Sequence, residues 1–373
     1  MATITNMVSS LLSSLGTALQ SFAYTSATLK FSSSALERRA TDYCIIGTDS
    51  PVREFECQLA AKLEGLKQSA KINLEWLHEA LVVVAHTHST VIRAMSGLQV
   101  PLTEREQRVV NDYLDDSVKL LDACNVLRES FADLERYHML VQLALHSLDS
   151  KEPVNDNKVA RTKNVFHECV VTIKKKVEDV DRQGQQRSKL ENCSSMLRRM
   201  GEKLNNINNN NNSSSSNNNA LIMSAMYGAK TTTIFLCGVL SIALLVKPKR
   251  ILSSLHLTHQ PSWASSMLKL QHKVKEEIDR RKAVKGSSAL LEELDSVHLE
   301  VKALYQVLLN GEKEKEKGFP MMEEIRQSVP RLRKFVEDLR KRLGPVEQKV
   351  NEIYRMLVSS RVDLLGIMIH ARN

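Results

Sequence analysis

Glycine and proline are scarce in this chain. Thirteen glycines and 8 prolines occur among 373 residues, and long spans contain neither. A protein built from strands and tight turns needs these residues often, so their scarcity argues against such a fold. Long uninterrupted spans are typical of long helices. The composition therefore predicts an all-α protein.

The chain also lacks the patterns that mark catalytic, metal and nucleic-acid sites. Its six cysteines form no CxxC pair, and aromatic residues make up 5% of the chain. These features argue against a zinc site, a disulfide framework and a base-stacking surface. Phosphate-binding loops, nucleophile elbows and HExxH motifs are absent from the sequence. We predict a non-enzyme with no catalytic, cofactor-binding or metal-binding residues, no cofactor and no nucleic-acid partner.

Positive charge is concentrated in the carboxy-terminal part of the chain. The net charge is +9, and from Lys247 onward 25 Lys and Arg residues face 17 Asp and Glu residues. A basic surplus can attract nucleic acid or an anionic membrane. Here acids are interspersed with the bases, as in EKEKEK, which is more typical of a solvated helix surface.

The first residues are almost free of charge. Lys30 is the first basic residue and Glu37 the first acidic one, in a region rich in Ser, Thr and Ala. This composition partly resembles a plastid transit peptide, but the several arginines of such a peptide are absent. We interpret residues 1–49 as a disordered or weakly amphipathic tail.

Two amino-terminal helices are indicated by apolar residues at helical spacing. Pro51 suits the first turn of a helix. The apolar stripe of the first helix consists of Phe55, Leu59, Leu63 and Leu66. The second helix has a seam with alternating steps of three and four residues, formed by Leu74, Leu77, Leu81, Val84, His88, Val91 and Met95. Gly97 and Pro101 end the seam. We interpret His88 as a hydrogen-bonded core residue, since His86 lies two positions away and cannot face it on a helix.

A third helix is predicted to be much longer. Thr103 and Glu106 form a T-x-x-E capping box, and no Gly or Pro follows before Ser150. The expected helix has roughly 45 residues, or about 65 Å. Its predicted apolar face consists of Val110, Leu114, Leu121, Cys124, Phe131, Leu134, His138, Val141, Leu145 and Leu148. A further helix is predicted over 158–204, and the Asn/Ser tract 205–219 is predicted to be a flexible linker.

The carboxy-terminal part repeats the helical pattern. Two more seams alternate steps of three and four: Leu290, Leu294, Val297, Val301, Leu304 and Leu308, then Val346, Val350, Ile353, Leu357, Leu364 and Ile367. Pro320 and Pro330 are expected to limit the helix between them, and Gly344 with Pro345 to form a break. We expect these helices to pack back on the amino-terminal ones, because water penalises exposed apolar area by about 25 cal/mol per Å².

A central apolar segment allows three arrangements. Residues 231–246 reach about 24 Å as a helix, short of a hydrocarbon core of about 30 Å. Extension back to Ala220 gives ample length but includes Lys230. The segment either spans a membrane, dips into one, or packs within the bundle. We favour membrane association through 220–250, on the endomembrane system (endoplasmic reticulum) or a cytoplasmic membrane face, with the plastid as the alternative.

These features together predict an all-α, elongated antiparallel bundle of long helices with the apolar helix at its centre. The expected division is a tail, an amino-terminal half, a linker, an apolar segment and a carboxy-terminal half: 1–49, 50–204, 205–219, 220–246 and 247–373. We expect protein partners to bind through the helical faces.

Two long helical signatures resemble the plant BYPASS family. They are YLDDSVKLLDACNVLRESFADLERYHMLVQLALHSLD at 113–149 and GPVEQKVNEIYRMLVSSRVDLL at 344–365. The resemblance implies a regulator of root and shoot development that restrains a root-derived mobile signal, with no catalytic residue assigned. Relatives of that family include exocyst-interacting regulators of secretion. The hypothesis is a non-enzymatic helical scaffold; the alternatives are an enzyme of small-molecule signal metabolism and an exocyst-linked secretion regulator.

Overall fold

A computed structural model provides the structure of the bundle. It describes residues 50–69, 71–98, 102–149, 156–178, 188–204, 217–245, 255, 257, 261–284, 289–313 and 318–370. All of them belong to one compact unit. The predicted tail 1–49 lies outside the described residues.

The described residues form helices and no strand, which confirms the all-α prediction. The helices are α1 (Pro51–Gln68), α2 (Leu74–Met95), α3 (Glu104–Asp149), α4 (Asp156–Glu178), α5 (Lys189–Lys203), α6 (Asn217–Ala243), α7 (Ala264–Ala283), α8 (Glu292–Lys313) and α9 (Gly318–His370).

The amino-terminal helices begin where the sequence predicts. Pro51 occupies the first turn of α1. Before α3, the Thr103 amide donates to the Glu106 carboxylate at 2.9 Å, and the Glu106 amide donates back to Thr103 Oγ1 at 3.3 Å. This reciprocal capping box satisfies two amides that a helix start otherwise leaves unpaired. Every predicted apolar position of α1 and α2 is buried.

The apolar helix α6 is the centre of the bundle. It packs against α1, α2, α3 and α5, and 94% of its most apolar 18-residue window is buried. Gly228 permits the close approach of α1, since a Cβ there would come within 2.9 Å of the Phe55 ring. By length and composition α6 could cross a membrane. In this structure, however, its apolar surface is covered by other helices, which is the third arrangement that the sequence left open.

The long helix α9 joins the two parts of the chain. It packs against α2, α3 and α8, so the carboxy-terminal helices do pack back on the amino-terminal ones. Arg361 contacts Ser117, whereas Arg128 lies over the ring of Tyr354. Residue numbers rise along one helix as they fall along the other. Helices α3 and α9 are therefore antiparallel.

The predicted breaks within α9 are wrong. The helix continues from Gly318 to His370 with Pro330 and Pro345 inside it. A proline removes one backbone hydrogen bond and can kink a helix, but a solvent-facing carbonyl can bond water instead. Both prolines are exposed, and the buried positions on either side form a continuous stripe. Packing of that stripe outweighs the local preference for a break.

The single helix predicted over 158–204 is also wrong in its extent. The structure has α4 and α5 in this range, and residues 179–187 lie outside the described part. Ser188 caps α5 by accepting a hydrogen bond from the Glu191 amide at 3.2 Å. Ser-x-x-Glu at these positions is itself a capping-box pattern, so a helix start was present in the sequence. Helix α6 likewise begins at Asn217, inside the predicted linker.

The buried face of α3 is broader than predicted. Most predicted positions are buried, but Leu121, Leu134 and Leu148 are half-exposed, while Leu120 and Leu127 are fully buried. Helix α3 contacts α4, α5, α6 and α9. Because partners lie around a wide arc, a single seam does not describe its contacts.

Replacing a buried apolar side chain of α6 tests its position in the bundle. Val239 is completely buried, so Val239→Arg would place a charge in the core and should lower the free energy of unfolding by several kcal/mol. Urea unfolding followed by circular dichroism measures this loss. Val362→Arg is the control, because Val362 is 48% exposed. A Val239→Arg protein with wild-type stability would contradict the buried position.

Candidate functional site

A short polar segment interrupts the apolar surface of α6. Lys230, Thr231, Thr232 and Thr233 are all buried, with Lys230 exposed to 7%. Buried polar groups are costly unless they are hydrogen-bonded or paired. Lys230, Thr232 and Thr233 have polar partners on α2 and α3.

The ammonium of Lys230 forms an ion pair with Asp116 of α3. Lys119 binds the other carboxylate oxygen of Asp116 at 2.7 Å. Burial raises the pKa of Asp116, but hydrogen bonds from Lys119 and Lys230 outweigh it, and the pKa lies below its ordinary value of 3.8. The carboxylate is therefore ionised at neutral pH and compensates the buried lysine.

His88 connects three helices through hydrogen bonds. Thr233 Oγ1 donates to the Ala229 carbonyl at 2.6 Å, so it accepts from His88 Nε2, which lies 2.8 Å away. With its proton on Nε2, the neutral imidazole accepts at Nδ1, where the Tyr113 hydroxyl donates over 3.3 Å. Thr87 and Thr232 add a second hydroxyl contact between α2 and α6 at 3.2 Å.

The titrating groups of this network are uncharged at neutral pH. Burial lowers the pKa of His88 to about 4 and raises that of Tyr113. The interpretation of His88 as a hydrogen-bonded core residue is confirmed. Burial also lowers the pKa of His86 to about 4. None of the described hydrogen bonds connects His86 to the His88 network. The two histidines of the HTH sequence therefore form no common site.

The geometry of these groups suits helix positioning more than catalysis. The Asp116 carboxylate is held by two ammonium groups. Both ring nitrogens of His88 are hydrogen-bonded to hydroxyls, Nε2 to Thr233 and Nδ1 to Tyr113. Within the described ranges, no three His, Cys, Asp or Glu side chains are grouped as metal ligands would be. The polar segment sets the rotation and register of α6 against α2 and α3.

The sequence contained part of this arrangement. Asp116 is half-buried, whereas its neighbour Asp115 is exposed. Asp116 lies one position from the buried Ser117, at the edge of the α3 core face. A lone lysine in an apolar helix predicts a buried acidic partner, but its identity depends on which helices become neighbours.

The ion pair predicts two different mutational outcomes. Asp116→Ala leaves the Lys230 charge buried without this partner and should lower the free energy of unfolding by about 3 kcal/mol. Lys230→Met removes the charge itself and leaves Asp116 paired with Lys119, so it should stay within about 1 kcal/mol of wild type. Urea unfolding of both variants distinguishes the cases. Equal losses would contradict a compensating role for Asp116.

The lowered pKa of His88 predicts acid sensitivity. The unfolded chain binds a proton at the ordinary histidine pKa of 6.5, whereas the folded protein does so at about 4. The free energy of unfolding is therefore not reduced by His88 above pH 6.5. Between pH 7 and 4.5 it should fall by about 2 kcal/mol because the unfolded chain takes up the proton first. Urea unfolding at both pH values should show this loss diminished in His88→Leu. An unchanged pH dependence in His88→Leu would show that the imidazole is not responsible.

Comparison with known proteins finds relatives of this chain in plants. A family model described as "Protein ROH1-like" matches residues 49–215 and 184–368. "Protein BPS1, chloroplastic" from Arabidopsis thaliana is 26% identical over 317 residues, which cover 84% of this chain and 82% of that protein. "Protein ROH1D" from the same plant is 23% identical over 83% of this chain and 86% of its own length.

A rice relative is longer than the region of similarity. "UPF0496 protein 4" from Oryza sativa subsp. indica is 27% identical over 266 residues, covering 70% of this chain and 55% of the rice protein. The chain thus spans about half the length of that relative. No solved structure matches the chain significantly. The predicted resemblance to the BYPASS family is confirmed, and the family-model matches across the helical bundle show that this chain belongs to the ROH1-like family.

Proposed function

We propose that the chain is a non-enzymatic helical scaffold that acts in plant root and shoot development by binding protein partners. The family relationship supports a developmental role. The BYPASS resemblance leads to a more specific proposal, that the protein restrains a root-derived mobile signal that arrests shoot growth. The observation that carries the scaffold proposal is an exposed apolar surface on α9.

That surface, the α9 stripe, consists of Val362, Leu365 and Ile369. Their exposures are 48%, 43% and 55%. Steps of three and four residues place them on one face of the helix. Apolar anchors at this spacing are the contacts that a helix makes with a groove on a partner. The stripe therefore offers a contiguous binding surface.

The position of the stripe is fixed by a contact next to it. Arg361 donates to the Leu114 carbonyl and, at 2.8 Å, to Ser117 Oγ. This holds the end of α9 beside the part of α3 that carries Val118, which is 43% exposed. Because the backbone beneath it is anchored, the stripe can bind a partner with little ordering cost.

The two alternatives differ in what they require. An exocyst-linked secretion regulator also acts by binding proteins, so it would need the same kind of surface and would differ in the partner. An enzyme of small-molecule signal metabolism would need converging reactive side chains. The relatives' names describe no enzyme, and the buried His88 network has its hydrogen-bonding groups engaged with one another. These observations favour a binding protein.

Localisation follows as a separate proposal. The chloroplast in the name of the Arabidopsis relative supports the plastid alternative for this chain. The endoplasmic reticulum has no support from the comparisons. Association with a membrane is supported only by the length and composition of α6. A membrane-inserted form would require α6 to leave its four partner helices.

The α9 stripe can be tested in plants that lack this protein. The double variant Val362→Asp, Leu365→Asp should fold, because both positions are exposed, but should fail to restore shoot growth when expressed in the root. Charges at apolar anchors oppose burial in a partner groove. Shoot growth, with circular dichroism of the purified variant, gives the readout.

Two equally exposed leucines provide the matched control. Leu268 on α7 and Leu299 on α8 are 47% and 46% exposed. Leu268→Asp, Leu299→Asp adds the same charge elsewhere on the bundle and should restore growth. Restoration by the α9 stripe variant as well would refute this surface, and restoration by neither double variant would show that added charge alone accounts for the loss.

A further inference from the structure

A cavity of about 200 Å³ lies along the middle of α3, separate from the part of that helix that Arg361 contacts. Residues from four consecutive turns of α3 form one wall, from Val126 to Tyr137. Thr172 of α4, the start of α5, the end of α6 and the first turns of α8 form the others. We name this space the α3–α8 cavity.

The inner part of the α3–α8 cavity is apolar and buried. Leu190, Leu244 and Leu294 line it, and each is exposed to less than 10%. Tyr137 and His298 also line it, with their rings edge to face at a centroid distance of 5.4 Å. An edge-to-face pair of this kind gives a shaped wall against which another flat ring can pack.

One polar group in this wall lacks a partner. Tyr137 is 6% exposed, and its hydroxyl has no hydrogen-bond partner in the described part of the chain. Burial and the neighbouring Cys169 raise the pKa of Tyr137 well above 10, so the group is a neutral phenol. A buried, unpaired hydroxyl is costly, and an acceptor atom beside it removes that cost. The Tyr137 hydroxyl is therefore a hydrogen-bond donor available to a ligand in the cavity.

The outer part of the cavity is polar, but its charges are matched. Lys189 at the start of α5 pairs with Glu129 of α3 at 2.8 Å, and both side chains are exposed. Arg136 pairs with Asp133 at 3.1 Å. An exposed pair such as Lys189 with Glu129 contributes little stability, so it can open and admit a molecule from solvent.

These walls select a class of ligand. An engineered apolar cavity of about 150 Å³ binds benzene, so about 200 Å³ accommodates one ring with a short substituent. A charged molecule would be disfavoured, since the inner wall offers leucines and a neutral phenol. An acceptor such as a carbonyl oxygen would accept a hydrogen bond from the Tyr137 hydroxyl.

We propose that the α3–α8 cavity binds a small, uncharged, single-ring compound through its leucine walls and a hydrogen bond from Tyr137 to an acceptor on the ligand. The site is independent of the α9 stripe, and binding there requires no chemical step. A compound bound between α3, α4, α5, α6 and α8 would join both parts of the chain at one point.

Acetophenone and ethylbenzene are suitable probes, because they have similar size and only acetophenone carries an acceptor. Titration of the purified full chain, followed by ligand-observed NMR, should show acetophenone binding more tightly. Tyr137→Phe keeps the ring and removes the donor, so it should weaken acetophenone about fivefold and leave ethylbenzene within about twofold. Tyr113→Phe, at the His88 network, is the control tyrosine and should change neither.

A cavity-filling variant tests the location of binding. Leu134 lines the cavity and is half-exposed, so Leu134→Trp should abolish binding of both probes, whereas Leu143→Trp on the exposed face of α3 should not. If circular dichroism shows Leu134→Trp to be misfolded, Leu245→Trp fills the cavity from the end of α6. Three outcomes would overturn the proposal: no binding of either probe to the wild-type protein, binding that persists in the cavity-filling variant, or acetophenone affinity that Tyr137→Phe leaves unchanged.

Discussion

Burial of α6 is the constraint on which the rest of the bundle depends. Four helices surround it, and each fully buried Val, Leu, Ile or Phe side chain contributes about 1.5 to 3 kcal/mol relative to exposure. Burial alone would leave the rotation of an apolar helix poorly specified. Lys230 with Asp116, and Thr233 with His88, pair its polar positions with particular groups on α2 and α3. The apolar surface thus provides stability, and the polar segment provides register.

The helices themselves could be predicted because their signals are local. Seams such as Leu74 to Met95 and Leu290 to Leu308 bury every predicted position, and the Thr103–Glu106 box starts α3. Local rules failed where packing outweighed them. Pro330 and Pro345 lie on an exposed side of α9, where a missing hydrogen bond costs less than the loss of the stripe beneath.

The tertiary partners could not be predicted from the sequence. A helix such as α6 has the same composition whether lipid or other helices cover it, so its environment depends on distant parts of the chain. The same holds for Asp116, whose role depends on α6 lying beside α3, and for the α3–α8 cavity, whose walls come from five helices. Surfaces such as the α9 stripe have the same spacing as core seams and differ in being exposed among the described residues.

Hydrogen exchange of the detergent-free protein tests the central claim most directly. Mass spectrometry can follow the backbone amides of α6 at 228–240 while the protein remains in aqueous buffer. If α6 is the buried centre of a cooperative bundle, these amides should be among the slowest to exchange and should be unaffected by anionic vesicles. Rapid exchange in buffer that becomes slow only when vesicles or detergent are added would contradict the account.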